Sequence, residues 1–392
     1  MRKVLRNVLL TAWVTQLAFA QQQDTPTLSS SVDREAAEGH REEAQKALAE
    51  LLARPYIKLD VLLESGAKLA QGEHFEQARA VFARGVKDYP KNFEVHYNLA
   101  LADIALRRLD EAHTTLEAQM ELSKDQSLAR EYLRGKIYDA TGEQVLAERC
   151  LTAALTGAPQ QENYALDLGM FYLRQRNHAK ALKILEAAIK YHPQSIYLLL
   201  SLALIEYLDN NPADSAATCF KILALEPLFG PAHVLLAVSY YTNGEYAKCL
   251  KETESSIGRP ETPPYLYYLH AASLLNMESE DYAAMLGDLK TAIQTMPGCA
   301  FCYFALSKVH QAMGNAGGAI GDLQTLVERI DPEFSKGWYR LASLYQHSGR
   351  TADAARALEK FHAIKTAQTD PEAAYLRKFF LSELGDEGSE RK

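Results

Sequence analysis

The chain has 392 residues, is 47% hydrophobic and 23% charged, and carries a formal net charge of -8. That length exceeds the usual reach of one hydrophobic core, so a single globule built around one centre is excluded. The acidic balance, without any basic stretch, leaves no electrostatic footprint for nucleic acid, which is set aside as a partner.

At the N-terminus, Arg2, Lys3 and Arg6 precede a mostly apolar run from Val8 to Phe19. Ala18-Phe19-Ala20 then fits the small-x-small cleavage pattern, so residues 1–20 read as a secretory signal peptide. Export is expected, to the periplasm if the source is bacterial and otherwise to the outside. The run is too short, and too interrupted by Thr11, Thr15 and Gln16, to cross a bilayer. No later stretch is apolar enough, so no transmembrane segment is expected after cleavage. Residues 21–32 are polar and read as a disordered linker. An amphipathic N-terminal helix is predicted over 33–55. Asp33 is its cap, Ala37, Ala44, Ala47, Leu48, Leu51 and Leu52 form its apolar stripe, and Pro55 ends it.

From about Leu59 a period governs the chain. Pro159, Pro193 and Pro227 lie 34 residues apart, and Pro90, Pro260, Pro297 and Pro332 keep close to that phase. Helix-forming sequence with such a period indicates stacked helix–turn–helix units, each packing on its neighbours. The clearest unit runs Ala165-Leu166-Asp167-Leu168-Gly169-Met170-Phe171-Tyr172, then Ala181, Leu185, Ala188 and Pro193. The last has Trp338, Leu341-Ala342, Tyr345, Gly349, Ala354 and Leu358; the third has Gly135, Tyr138, Gly142, Ala147, Leu151, Ala154 and Pro159. These residues, in this order, resemble the tetratricopeptide repeat family. About nine units are read, near 59–92, 93–127, 128–161, 162–195, 196–229, 230–263, 264–298, 299–334 and 335–368. Small residues at Gly135, Gly169, Ala203, Ala237 and Ala342 mark where a first helix crosses its partner, and Ala78, Ala112, Ala147, Ala181, Ala319 and Ala354 where the second does. A capping helix is predicted over 369–384, with Tyr375, Phe379, Phe380 and Leu384 on one face, followed by a disordered tail, 385–392. The expected fold is all-α, a right-handed α-solenoid.

Chemistry is sparse. Cys299-Ala-Phe-Cys302 has redox spacing, but no second pair exists for a zinc site, Tyr303 stands where haem attachment needs His, and no strand pattern surrounds it. Redox or metal-linked activity there is the weakest of three readings. Cys219 and Cys249, on second helices of adjacent units, leave a further bridge open. No phosphate loop, nucleophile elbow or histidine pair assembles a catalytic centre, so no enzyme, metal or cofactor is expected.

The resemblance implies that the first helix of each unit lines a binding groove. One face of those helices carries Tyr97, Tyr132, Leu166, Leu200, Val234, Tyr268, Phe304 and Tyr339, flanked by Tyr197, Leu204, Tyr207, Val238, Tyr241, Tyr265 and Phe301. An apolar, aromatic groove of this kind would hold a segment of a partner protein, with Tyr268 and Phe304 as anchors. The alternative is a self-associating oligomer in which helix 34–53 fills the groove. A clamp for chaperone C-termini, known in the family, is not expected: Asn98 matches it, but Leu63, Ala67 and Tyr132 stand where it needs Lys, Asn and Lys.

Overall fold

The computed structural model describes residues 41–120, 127–259 and 262–364; the expected signal peptide, the linker, the first residues of the N-terminal helix, the capping helix and the tail lie outside them. The described residues form nineteen α-helices and no strand. Helix α1 (Arg41–Leu52) is followed by nine helix pairs. These are α2 (Leu59–Gln71) with α3 (Phe75–Asp88), α4 (Phe93–Ala105) with α5 (Leu109–Met120), and α6 (Ser127–Thr141) with α7 (Gln144–Gly157). Next come α8 (Glu162–Arg174) with α9 (His178–Tyr191), α10 (Ile196–Leu208) with α11 (Pro212–Leu225), and α12 (Gly230–Thr242) with α13 (Tyr246–Ser256). The last are α14 (Pro264–Asn276) with α15 (Tyr282–Thr295), α16 (Ala300–Ala312) with α17 (Ala316–Thr325), and α18 (Ser335–His347) with α19 (Thr351–Ala363). No helix among the described residues is long and apolar enough to cross a membrane.

The same turn closes every pair. Gly142, Gly244, Gly314 and Gly349 take positive φ, from 73 to 88°. The equivalent place in the other five pairs holds Glu73, Arg107, Arg176, Asn210 and Glu278, at 55 to 65°. The following amide then reaches back to a first-helix carbonyl, as in His74 N to Leu69 O and Arg350 N to Tyr345 O, both 2.8 Å. This left-handed cap satisfies carbonyls that the ending helix would leave open. A side chain with a Cβ pays about 1–2 kcal/mol for that conformation. Arg176→Gly and Glu278→Gly are therefore expected to raise stability by about 0.5–1 kcal/mol each, once glycine's own entropy is counted. Urea denaturation checks it; a lowered midpoint would contradict it.

The chain falls into two compact units, described over 41–201 and 202–364, with the division inside α10. In the first, within α2 to α9 each helix packs on the next, α1 packs on α3, and α2, α4 and α6 also touch in sequence. Close approach depends on missing side chains. A Cβ on Gly66 would lie 2.4 Å from the Phe82 ring, and one on Gly135 would lie 2.7 Å from Leu151 Cγ and 3.0 Å from Leu151 N. Helix α1 covers the first pair: Leu48 and Leu51 are buried beside Leu62, Leu69 and Phe82. Arg84 fixes the end of α1 by donating to the carbonyls of Leu52 and Arg54. Inside this unit Asp103 is buried and paired with Arg79.

In the second unit the two helices of three consecutive pairs are pinned by histidine and carboxylate: His233 to Glu252, His270 to Asp288 and His310 to Asp322. The last two have Nδ1–oxygen distances of 2.6 Å. His233 is held from both sides, because Nε2 also lies 2.9 Å from the Pro227 carbonyl oxygen. A carbonyl and an ionised carboxylate can only accept, so this geometry favours the charged imidazole, which donates from both ring nitrogens. Burial alone lowers its pKa; the bonds to Glu252 and Pro227 and the Glu252 charge outweigh that, against an opposing Arg259, and the net shift is upward. A raised folded pKa gives stability that is complete below the unfolded value and disappears as pH rises through the folded one. Unit-two melting is expected to fall as pH rises from about 6.5, and His233→Gln to flatten that segment. Equal pH profiles for parent and variant would refute the assignment.

Candidate functional site

Ten of the fifteen residues expected to line a groove are buried between helices: Tyr97, Tyr132, Leu166, Leu200, Leu204, Val234, Val238, Tyr265, Tyr268 and Phe301. Tyr197, Tyr207, Tyr241 and Phe304 are half-buried, and Tyr339 is exposed. The expectation of a stripe open to solvent along every first helix is thus corrected. First helices pack on their own partner and on neighbouring first helices, so the residues facing sideways become core.

In the first unit that core is partly ionic. The Tyr132 ring stacks on Tyr164 with centroids 4.5 Å apart. Its hydroxyl donates to Asp167, which also pairs with Lys136 Nζ at 2.7 Å. Burial, followed by the Asp167 charge, pushes the Tyr132 hydroxyl well above its usual pKa. Asn98, the one match to the clamp, donates to the Glu94 carbonyl at 2.9 Å within its own helix.

In the second unit Tyr265, Tyr268 and Phe301 form a buried ring cluster, with Tyr268 and Phe301 centroids 4.7 Å apart. Tyr268, one of the two expected anchors, therefore belongs to the core. The Tyr241 hydroxyl accepts from Asn276 Nδ2 at 3.0 Å, tying α12 to α14. The cysteines also resolve here. Cys299 and Cys302 are bonded, with Cα atoms 5.2 Å apart, and both are buried at the start of α16, which keeps the sulfurs from an outside thiol. Cys219 and Cys249 do not bridge; with Cys150 they are buried free thiols. Burial raises the pKa of both, that of Cys249 to about 11.

An open feature of this unit is a cleft of about 430 Å³ between α16, α18 and α19. Phe304 and Gln311 come from α16, and Phe361 from α19. Helix α18 supplies Lys336, Tyr339, Arg340 and Ser343 from successive turns of one face. The walls are aromatic: Tyr339 and Phe361 centroids are 5.4 Å apart, and Phe304 rests on the buried Phe334 at the same separation. Lys308 Nζ lies 5.0 Å from the Phe304 centroid and Arg340 Cζ 5.8 Å from it. Arg340 Nη2 donates to Gln311 Oε1 at 2.7 Å, while its buried Nε has no hydrogen-bond partner. Burial lowers the guanidinium pKa.

Sequence reasoning found Phe304 and Tyr339 but missed Lys336, Arg340 and Phe361. The signal was present: Lys336 and Arg340 are one helical turn apart on the face that carries Tyr339.

Stacked helix pairs with aromatic side chains left open at one end define an all-α solenoid scaffold, a class that works by binding. The tetratricopeptide repeat family matches residues 69–137, 132–196, 166–227 and 304–367, and the chain belongs to that family. No curated protein matches it in sequence. A solved tetratricopeptide repeat protein from Parabacteroides merdae is 17% identical, with a TM-score of 0.52 over 65% of this chain and 99% of its own. A human IFIT1 dimer with PPP-AAAA is 17% identical, with a TM-score of 0.47 over 86% of this chain and 83% of its own. The APC/C hetero-tetramer Cut9–Hcn1 is 15% identical, with a TM-score of 0.49 over 97% and 68%. At such identities the likeness concerns the fold alone.

Proposed function

We propose that this protein is an exported, non-enzymatic scaffold that holds a segment of a partner protein against the aromatic surface of α16, α18 and α19. The observation that carries the reading is the cleft with Phe304, Tyr339 and Phe361 on its walls, since exposed aromatic surface in a soluble protein marks a place of contact. Export is supported by the charge, apolar run and cleavage pattern of residues 1–20, and by the Cys299–Cys302 bond, which suits an oxidising compartment. Self-association through helix 34–53 loses its physical basis in the described part of that helix, because Leu48 and Leu51 already pack into the first pair.

Phe304→Ala with Tyr339→Ala is expected to reduce partner capture from an envelope or secreted fraction about tenfold or more, as loss of aromatic anchors does. Far-UV circular dichroism should stay unchanged. Capture equal to the parent's would overturn the reading.

A further inference from the structure

Beyond that reading, we propose that the outward face of α11 is a self-docking surface, on which a second copy of this chain lies antiparallel about a two-fold axis. Helix α11 buries Ser215, Ala216, Thr218, Cys219 and Ile222 in the second unit. Its opposite face carries Ala213, Ala217, Phe220 and Ala224, all exposed, and Phe220 is 53% so. The repeat period shows how unusual this face is. One repeat earlier, the places of Ala217 and Phe220 hold Lys183 and Glu186; one repeat later they hold Lys251 and Glu254. All four are exposed, so the outer face is charged in both neighbouring repeats and apolar in α11. Apolar residues scattered singly over a surface need no explanation. A continuous stripe with a phenyl ring at its middle marks a contact.

The occupant follows from the order of the stripe and from the charges beside it. Ala213, Ala217, Phe220 and Ala224 are spaced by four, three and four residues, the same in either direction. Two such helices laid antiparallel about the point between Thr218 and Cys219 set each Phe220 over Ala217 of the other copy, and Ala213 over Ala224. A ring facing a methyl group lets the helix axes approach to about 8–10 Å, the normal packing distance. Asp214 and Lys221 are seven residues apart and lie along one flank of α11. A two-fold axis normal to the plane of the two helices keeps that flank on the same side in both copies. At about 1.5 Å of rise per residue, Asp214 then stands about 3 Å along the axis from Lys221 of the second copy. The pair forms twice. Within the chain Asp214 accepts from Asn211 Nδ2 at 2.8 Å, and among the described residues neither Asp214 nor Lys221 is in an ion pair. One copy thus supplies both halves of the contact, which is the condition for a closed two-fold dimer.

Sedimentation equilibrium of the full chain tests this. The average mass should rise from one chain towards two between about 1 and 100 μM, as suits an interface smaller than about 1,200 Å². Phe220→Glu should weaken association about tenfold or more. Val145→Glu, at an exposed apolar site on α7, should not. Asp214→Lys and Lys221→Asp should each weaken it about tenfold, because two attractions become two repulsions. An equimolar mixture of those two variants should associate as the parent does, since each Lys then faces an Asp. That recovery requires a second copy in the reversed register, and an unfolded variant could not give it; melting curves report on the folding of Phe220→Glu. A parent that stays monomeric to about 100 μM overturns the proposal and leaves the face to an unlike partner or to residues 365–392. Association that survives Phe220→Glu, or a mixture no stronger than its components, overturns it as well. None of these outcomes bears on the cleft of α16, α18 and α19, so the scaffold reading stands or falls separately.

Discussion

Gly169→Trp is expected to unfold the first unit. Gly169 lies in α8 where that helix crosses α9, and a Cβ there would stand 2.9 Å from Leu185 Cδ2 and 3.2 Å from Cγ. Leu185 is fully buried, so its side chain cannot swing into solvent to make room. A methyl group could be accommodated by a shift of the Leu185 tip; an indole cannot. Overpacking by a few methylenes already costs about 1–3 kcal/mol, and a whole indole at a crossing exceeds that, against total stabilities of about 5–15 kcal/mol. Because each pair is stabilised by its neighbours, loss of this crossing also weakens the contact of α8 with α7 inside the first unit. Gly135→Ala provides a graded companion. There the obstacle includes the Leu151 backbone nitrogen at 3.0 Å, so even one methyl should cost about 1–3 kcal/mol. Thermal unfolding by circular dichroism measures both, and a Gly169→Trp midpoint equal to the parent's would show that the helices do not meet there.

Arg79→Ala should destabilise the same unit by about 3–5 kcal/mol near neutral pH, the usual result of leaving one partner of a buried ion pair alone. Asp103 is 1% exposed; one of its oxygens pairs with Arg79 and the other has no hydrogen-bond partner. Burial raises the carboxyl pKa and Arg79 pulls it down, the balance remaining upward. Without Arg79 only the upward influence of burial and of Glu111, against the more distant Arg108, would persist. For an acid whose folded pKa exceeds its unfolded one, the folded state binds more protons, so stability falls as pH rises through the unfolded value. The deficit of Arg79→Ala should therefore shrink on acidification towards about pH 4. Adding Asp103→Leu should recover most of the loss, since an apolar pair can replace a buried ionic one. A pH-independent deficit, or no recovery in the double variant, would contradict this account.

The apolar side chains behave less simply than the pattern suggests. Tyr132, Tyr265 and Phe301 share a helical face with Tyr339, yet the first three are core and the last is open. A spacing rule places residues on a face of one helix; it does not say how many neighbouring helices cover that face. Tyr339, on α18, is left 59% exposed, so the helices packed around α18 do not cover that face.

The amino-acid order by itself determined the helix pairs and their phase. Proline cannot continue a helix, glycine accepts the left-handed turn at 142, 244, 314 and 349, and small residues recur where backbones must approach. These are local or nearest-neighbour constraints, so they are written in each repeat. Five of the turns, at Glu73, Arg107, Arg176, Asn210 and Glu278, take the same conformation without glycine, because their place in the period imposes it. Only the tertiary structure decided which aromatic residues are exposed, that Cys219 and Cys249 stay apart while Cys299 and Cys302 join, and that Arg340 keeps a buried donor with no acceptor. Burial and pairing depend on residues brought together from helices distant in the chain, and no single repeat contains that information.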